Sequence, residues 1–520
     1  MPSEPLQWPS KSWQPGRVHW QRTTFGASPA HHTKEHPMTQ KIKSISDPRL
    51  RLEILSPEDI QRIHTATLDV IENTGVRFPS EKALDIWQAH GATVDRESMV
   101  VKVPGQVIEE ALKQAPPAYP LAARDPQLDL PLDGNHVYVG TDGCGVEVID
   151  LHSGQRRRSG LQDVADIARV ADCLEEVAFH WVAVSAQDRP PESRGLHELQ
   201  AIWENSTKHV QTESIVKERE ARAAIEMAAA IAGGRDALRE RPVLSIMQCT
   251  ASPLGQDGGS IDAALVAAEA GVPTGFMTMA SCLTTGPATM AGNLVVGNAE
   301  VVSATALIQL AYPGAPVFYA AAQTASDLRT GAYTGGGPED YLFGAATNAL
   351  SDFYNIPLSM GAFATGAKLP NWQAGIENSL SSFMASIVMS DMLLGVGLLH
   401  GSRIWSYEQM LMDCEIFDLV RKTLQGIEVN DETLALEAIR SVGPGGNFLT
   451  QKHTRKHMRE IWLPQFMDRR PYNVWEEKQD GAPDWARAKA QEILATHQPE
   501  PLAPELSREL AQIIHSVENH

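Results

Sequence analysis

Between residues 136 and 424, short apolar runs alternate with longer segments in which apolar residues recur at helical spacing. The first run opens VYVGTDGCGVEVID, a predicted strand pair around a Gly-rich turn. Others fall at 177–185, 209–212, 243–248, 273–279, 317–321, 356–361 and 393–399. Each has the length of a buried strand and is too short to cross a membrane. Segments with helical periodicity, at 161–174, 217–232, 260–270, 338–354 and 372–389, separate most of them. Eight strand–helix units in roughly 290 residues predict an α/β fold, a (β/α)8 TIM-type barrel. Counting units does not by itself exclude an open doubly wound sheet. No GxGxxG follows an early strand, which counts against a dinucleotide-binding sheet.

The flanks lack this alternation. Residues 38–135 open on a Ser56-Pro57-Glu58-Asp59 cap, with further helical segments at 80–90 and 104–114, and predict an N-terminal helical lobe. Residues 1–37 show no periodicity and predict a disordered tail, with Met38 as a second plausible start. Trp8, Trp13 and Trp20 leave open that this tail docks on a folded surface. Residues 425–520 predict a C-terminal helical extension, with helices at 430–441 and 482–497. Gly443-Pro444-Gly445-Gly446 lies between helices and lacks the Lys-Ser/Thr of a phosphate loop, so it reads as a turn. The long run 286–311 is interrupted by Asn293, Asn298 and Glu300, and predicts a buried covering helix rather than a membrane span.

A net charge of −20 argues against nucleic acid and anionic membrane as partners. It suits a cationic ligand, although acidity also serves solubility. Five scattered cysteines without a CxxC predict reduced thiols in a cytoplasmic protein and provide no zinc cluster. His453 and His457 lie in HTRKH, which reads as a basic helix face. No catalytic metal is expected.

The stretch 356–402 has the pattern strand, loop, helix, strand, and barrel chemistry sits on the loops that follow strands. Its TGAKLPNWQAGIEN and GLLHGS, followed by SYEQMLMDCEI, SVGPGGNFLTQKHT and WLPQFMDRRPYNVW, resemble the trimethylamine methyltransferase family over roughly residues 47–494. The resemblance implies the barrel fold. It also implies transfer of a methyl group from a methylated amine to the cobalt of a corrinoid (cobalamin) held by a separate binding protein. Family members acting on trimethylamine carry pyrrolysine in the barrel, whereas this chain has only standard residues. The implied branch is therefore the one without pyrrolysine, with a quaternary amine such as glycine betaine as substrate. Partners expected are that small molecule, the corrinoid protein and other copies of this chain.

Such a transfer needs a cation held in line and freed of water, for which aromatic faces are suited. Phe276, Tyr319, Phe363 and Trp372 stand at predicted strand ends, with core packing as the competing reading. Asp142, Glu213 and His400 are the catalytic candidates, and Gln248, Lys368 and Gln373 would bind substrate. Lys368 would repel an ammonium but pair with a betaine carboxylate. Two other readings stand beside this one: a barrel lyase or hydrolase using Glu213 or Asp142 as base without corrinoid, and a betaine-binding relative without transfer.

Overall fold

The computed structural model describes residues 41–519 except 144, 333 and 334. The predicted tail 1–37 and Met38 lie outside the described residues. Eight parallel strands form the centre: β1 (His136–Thr141), β2 (Val177–Trp181), β3 (His209–Thr212), β4 (Leu244–Cys249), β5 (Thr274–Thr278), β6 (Val317–Ala321), β7 (Leu358–Gly361) and β8 (Met392–Val396). They pair in chain order, and β8 returns to β1 through Met392↔Tyr138, Leu393↔Val139 and Val396↔Thr141. The barrel is closed, so the open-sheet alternative is excluded. The β8–β1 register shifts between Leu393 and Val396. Gly395 lies there at φ +131°, where a Cβ would meet the Ala362 carbonyl at 1.9 Å, so only glycine fits.

Side-chain alternation divides two cores. Tyr138, Phe179, Trp181, Met247, Met277, Phe318, Met392 and Leu394 belong to the cluster inside the barrel. Val139, Val210, Ile246, Phe276 and Tyr319 belong to the layer between strands and helices. That layer is covered by α1 (Leu161–Cys173), α2 (Arg194–Asn205), α3 (Glu218–Ala232), α4 (Gly258–Ala270), α5 (Met290–Ala311), α6 (Pro338–Tyr354), α7 (Trp372–Ile387) and α8 (Tyr407–Leu424).

Helix α5 is long and apolar enough to cross a membrane, yet 78% of its apolar window is buried within the protein. It packs on β5 and β6 and carries the N-terminal helices Pro57–Asp69 and Gly105–Leu112 on its other side. Its Glu300 is fully buried. The carboxylate accepts from the hydroxyls of Thr250 (2.6 Å), Ser252 (2.8 Å) and Thr278 (2.9 Å) and from the Leu254 amide (2.8 Å). These bonds tie the helix to the loop after β4 and the end of β5.

The N-terminal block also contains strands, which a purely helical reading does not include. Val76–Arg77, Thr93–Asp95 and Val100–Lys102 form one antiparallel sheet, and Tyr119–Leu121 pairs with Leu130–Leu132. Runs of two or three residues are too short to display a period of two. In the extension, Ala482–Thr496 packs on α8 and α1, and Pro504–Glu518 on α3 and α2. The helix expected at 430–441 begins only at Leu436. Before it, the Asn430 amide donates to Thr433 Oγ1 and the Thr433 amide to Asn430 Oδ1, a local closure that competes with helix.

A polar network anchors the N-terminal end of the barrel. Lys208 is fully buried, and its ammonium donates to the carbonyls of Ala171, Leu174 and Val177. Asp172 accepts from Ser206, from the Thr207 amide and from His497 at 2.7 Å. That last bond joins the C-terminal extension to α1.

Candidate functional site

At the C-terminal ends of the strands lies a cavity of ≈ 290 Å³. Asp142 and Gly143 follow β1, Trp181 ends β2, Glu213 follows β3 and Cys249 ends β4. Met277 and Met279, Gln323, Met360 and Leu394 contribute from later strands, with Gly401 and Ser402 from the loop after β8. Asp340 and Phe343 enter from the first turns of α6. The wall is mostly apolar. Among the described lining residues the ionisable carboxylates are Asp142, Glu213 and Asp340, and no Lys, Arg or His is present.

Asp142 is held from both sides of the barrel seam. Ser402 Oγ donates to its Oδ2 at 2.5 Å, and the Gly143 amide donates to Oδ1 at 2.9 Å. Burial pushes its pKa up to about 6 against these two bonds. Gly143 is required by close approach: a Cβ would lie 2.4 Å from the Trp181 indole. Asp340 accepts from Thr324 Oγ1 and from the Gly337 amide at the start of α6. Burial raises it to about 7, the Thr324 bond opposing. Burial, then the nearby Glu213 charge, pushes the Cys249 thiol to about 12, so it stays protonated at neutral pH.

Of the ten residues singled out in sequence, Asp142 and Glu213 line this cavity. Phe276 and Tyr319 are buried, but in the strand–helix layer, and the Tyr319 hydroxyl donates to Asn298 on α5. Gln248 also lies off the cavity and donates to the Ile215 carbonyl. Its strand neighbours Met247 and Cys249 face inward instead. In all three the strand was located and the parity was off by one, which moves a side chain to the opposite face. Phe363 is fully buried behind the wall at φ +51°. Trp372, at the first turn of α7, is 80% exposed.

Lys368 is exposed and donates to the Gly366 carbonyl, and Gln373 donates to Glu377. Glu377 also accepts from Thr365 Oγ1 and the Gly366 amide, which sets the shape of this loop. His400 is half-buried outside the lining, and its backbone amide donates to the Ala367 carbonyl. Its pKa is lowered by burial and then by the Lys368 charge. The next two residues, Gly401 and Ser402, do reach the cavity. Trp181, Met277, Phe343 and Asp340 were not singled out in sequence. Asp340 reads in sequence only as a helix-start carboxylate. Among the described residues, no group of three or more His, Cys, Asp or Glu side chains could hold a metal ion.

The trimethylamine methyltransferase (MTTB) family model matches residues 23–519. A trimethylamine methyltransferase of Desulfitobacterium hafniense is 35% identical, over 89% of this chain and 94% of its own. A glycine betaine methyltransferase of the same species is 33% identical, over 89% and 97%. The solved monomethylamine methyltransferase of Methanosarcina barkeri superposes with a TM-score of 0.52 at 12% identity, over 86% of this chain and 90% of its own, a likeness of fold. By the match over nearly its whole length and by these relatives, the chain belongs to the trimethylamine methyltransferase family and is an amine methyltransferase on a (β/α)8 barrel.

Proposed function

We propose that this enzyme moves a methyl group from a quaternary amine to the Co(I) of a corrinoid carried by a separate protein. One observation carries the reading: an apolar cavity at the barrel mouth in which the ionisable carboxylates among the described lining residues are Asp142, Glu213 and Asp340, with no Lys, Arg or His. A quaternary ammonium has no N–H to donate, so it is recognised by charge and by polarisable surface. Carboxylates provide the charge, and the Trp181 and Phe343 rings and the Met277, Met279 and Met360 thioethers provide the surface.

The presented Co(I) would supply the nucleophile: its electron pair forms the Co–C bond as the C–N pair leaves on a neutral tertiary amine. No proton transfer is needed, which fits a protonated Cys249 and the lack of Lys or His among the described lining residues. The chain's own task is to strip water from the cation and hold it still.

The finer reading is glycine betaine or a related betaine, supported by the standard residues throughout the chain and by the glycine betaine methyltransferase among the relatives. The ammonium would sit among the carboxylates. The substrate carboxylate would turn toward the cavity side formed by Gly401 and Ser402. The test is to incubate the protein with glycine betaine, with and without reduced cobalamin, and follow dimethylglycine by proton NMR. Formation that depends on the corrinoid is expected. Turnover without it would favour a lyase or hydrolase, and binding without turnover would favour a binding protein.

A further inference from the structure

Two of the cavity carboxylates depend on loops for their placement. Asp340 lies in the first turn of α6, where the Gly337 amide donates to it at 3.3 Å. Asp142 accepts from Ser402, in the loop after β8. Between these two places runs the loop after β7, and it is tied down by Glu377 on the second turn of α7. Glu377 itself stands outside the described cavity lining. Its Oε2 accepts from Thr365 Oγ1 at 2.5 Å and from the Gly366 amide at 2.9 Å, and its Oε1 accepts from Gln373 Nε2 at 2.9 Å.

The loop so fixed acts in two directions. Toward β8, the Thr365 carbonyl accepts from the Gly401 amide at 2.9 Å and the Ala367 carbonyl from the His400 amide at 2.7 Å. The residue that follows Gly401 is Ser402, which reaches Asp142. Toward α6, Gly336 rests on the stem of Glu377. Its φ is +79°, and a Cβ there would lie 2.5 Å from Glu377 Cγ and 2.6 Å from Glu377 Cβ, so only glycine fits. The Tyr341 hydroxyl donates to the Gly336 carbonyl at 2.6 Å and holds the same turn from α6. Gly337 follows as the N-cap of α6. The level at which Gly336 rests therefore sets where α6 begins, and with it the place of Asp340 and Phe343 at the cavity wall.

We propose that Glu377 is a positioning residue for the cation site. It acts through the start of α6, which brings Asp340 and Phe343 to the wall, and through the loop that holds Ser402 against Asp142. The inference rests on the proposed function in one respect, that the cavity receives a quaternary ammonium. A carboxylate that only stabilised α7 would change the melting temperature and leave affinity alone. One that acted by its charge would lose its effect as soon as the charge was removed. Glu377→Gln separates charge from position: its carbonyl oxygen can still accept from Thr365 and Gly366, and Gln373 can turn its amide to offer an oxygen to the new N–H.

The test is titration calorimetry of the full chain with tetramethylammonium at pH 8, which needs no corrinoid. Glu377→Ala is expected to weaken Kd about tenfold, and Glu377→Gln to stay within about threefold of the parent. Glu377→Ala combined with Asp340→Asn is expected to lose at least about threefold less than the product of the two single losses, because residues that act through one another are not additive. Should Glu377→Ala fail to fold, Tyr341→Phe removes the other support of Gly336 and is expected to weaken Kd about threefold. An unchanged Kd in Glu377→Ala or in Tyr341→Phe, an equal loss in Glu377→Gln and Glu377→Ala, or losses that multiply in the double variant would each overturn the proposal. A parent protein that binds no tetramethylammonium would overturn it together with the proposed function, whereas a parent that binds while the variants fail these expectations overturns the role of Glu377 alone.

Discussion

Ser402 donates a 2.5 Å hydrogen bond to Asp142, joining the loop after the last barrel strand to the turn after the first. The bond crosses the seam at which the barrel closes. It also fixes a buried carboxylate at the wall of the cavity. The Gly143 amide and the Trp181 ring hold the other side of the same turn.

Asp142→Asn separates function from stability. Burial raises the Asp142 pKa from 3.8 to about 6 in the folded chain, so the folded state holds its proton more tightly than the unfolded state. This favourable difference is present below pH 3.8 and is lost as pH rises to about 6. Above that, the buried charge costs the fold about 3 kcal/mol relative to acid pH. The asparagine variant is therefore expected to melt higher than the parent at pH 8, with the difference vanishing near pH 4. Its affinity for a quaternary amine should fall about tenfold or more. Thermal melts and titration calorimetry check the two halves.

Affinity for the cation should rise with pH. Asp142 titrates at about 6 and Asp340 at about 7, and only their charged forms attract an ammonium. Kd measured calorimetrically is expected to tighten by roughly tenfold between pH 5.5 and pH 8. A flat profile would remove both carboxylates from recognition.

Parity on the strands makes a paired prediction. Phe343→Ala, at the cavity wall, should weaken binding of a quaternary amine by roughly 1–3 kcal/mol through lost burial and cation–π attraction. Phe276→Leu, in the strand–helix layer, should cost about 1 kcal/mol of stability and leave Kd unchanged. Isothermal titration and urea melts of both variants distinguish the two faces.

His497 connects the extension to the barrel and should make stability depend on pH in the alkaline range. Its bond to Asp172 raises its pKa from 6.5 to about 9. For Asp172, burial acts upward, but the His497 bond and the Lys208 charge outweigh it and hold the carboxyl below its usual range. A raised histidine contributes stability that is full below pH 6.5 and lost as pH rises through 9. The imidazole is partly exposed, so solvent screening reduces the effect to on the order of 1 kcal/mol. His497→Ala should lower Tm at pH 6.5 and bring the two proteins together near pH 9.5.

Much of the barrel was legible because buried parallel strands read as short continuous apolar runs, set apart by turn residues and by segments of helical periodicity. All eight strand positions could be read from it. Asp142 and Glu213 were legible for the same reason, as polar residues just beyond strand ends. The facing of individual residues was not: Phe276 and Met277 are adjacent, and only the assembled sheet decides which turns inward. Phe363 and Trp372 failed differently. They flank a loop whose path is set by Glu377 bonds to Thr365 and Gly366, and a composition pattern does not encode those contacts. Asp340 and Phe343 reach the cavity because the start of α6 folds over the mouth, a tertiary arrangement with no local signature.

The most direct test of the account is the rate of methylcob(III)alamin formation from cob(I)alamin, followed by absorbance under anaerobic conditions with a panel of quaternary amines and trimethylamine. Methylation of the corrinoid by at least one quaternary amine and none by trimethylamine is expected, with Phe343→Ala and Asp142→Asn each slower at subsaturating substrate. Absence of methylcorrinoid with every quaternary amine, or formation at an unchanged rate in both variants, would contradict it.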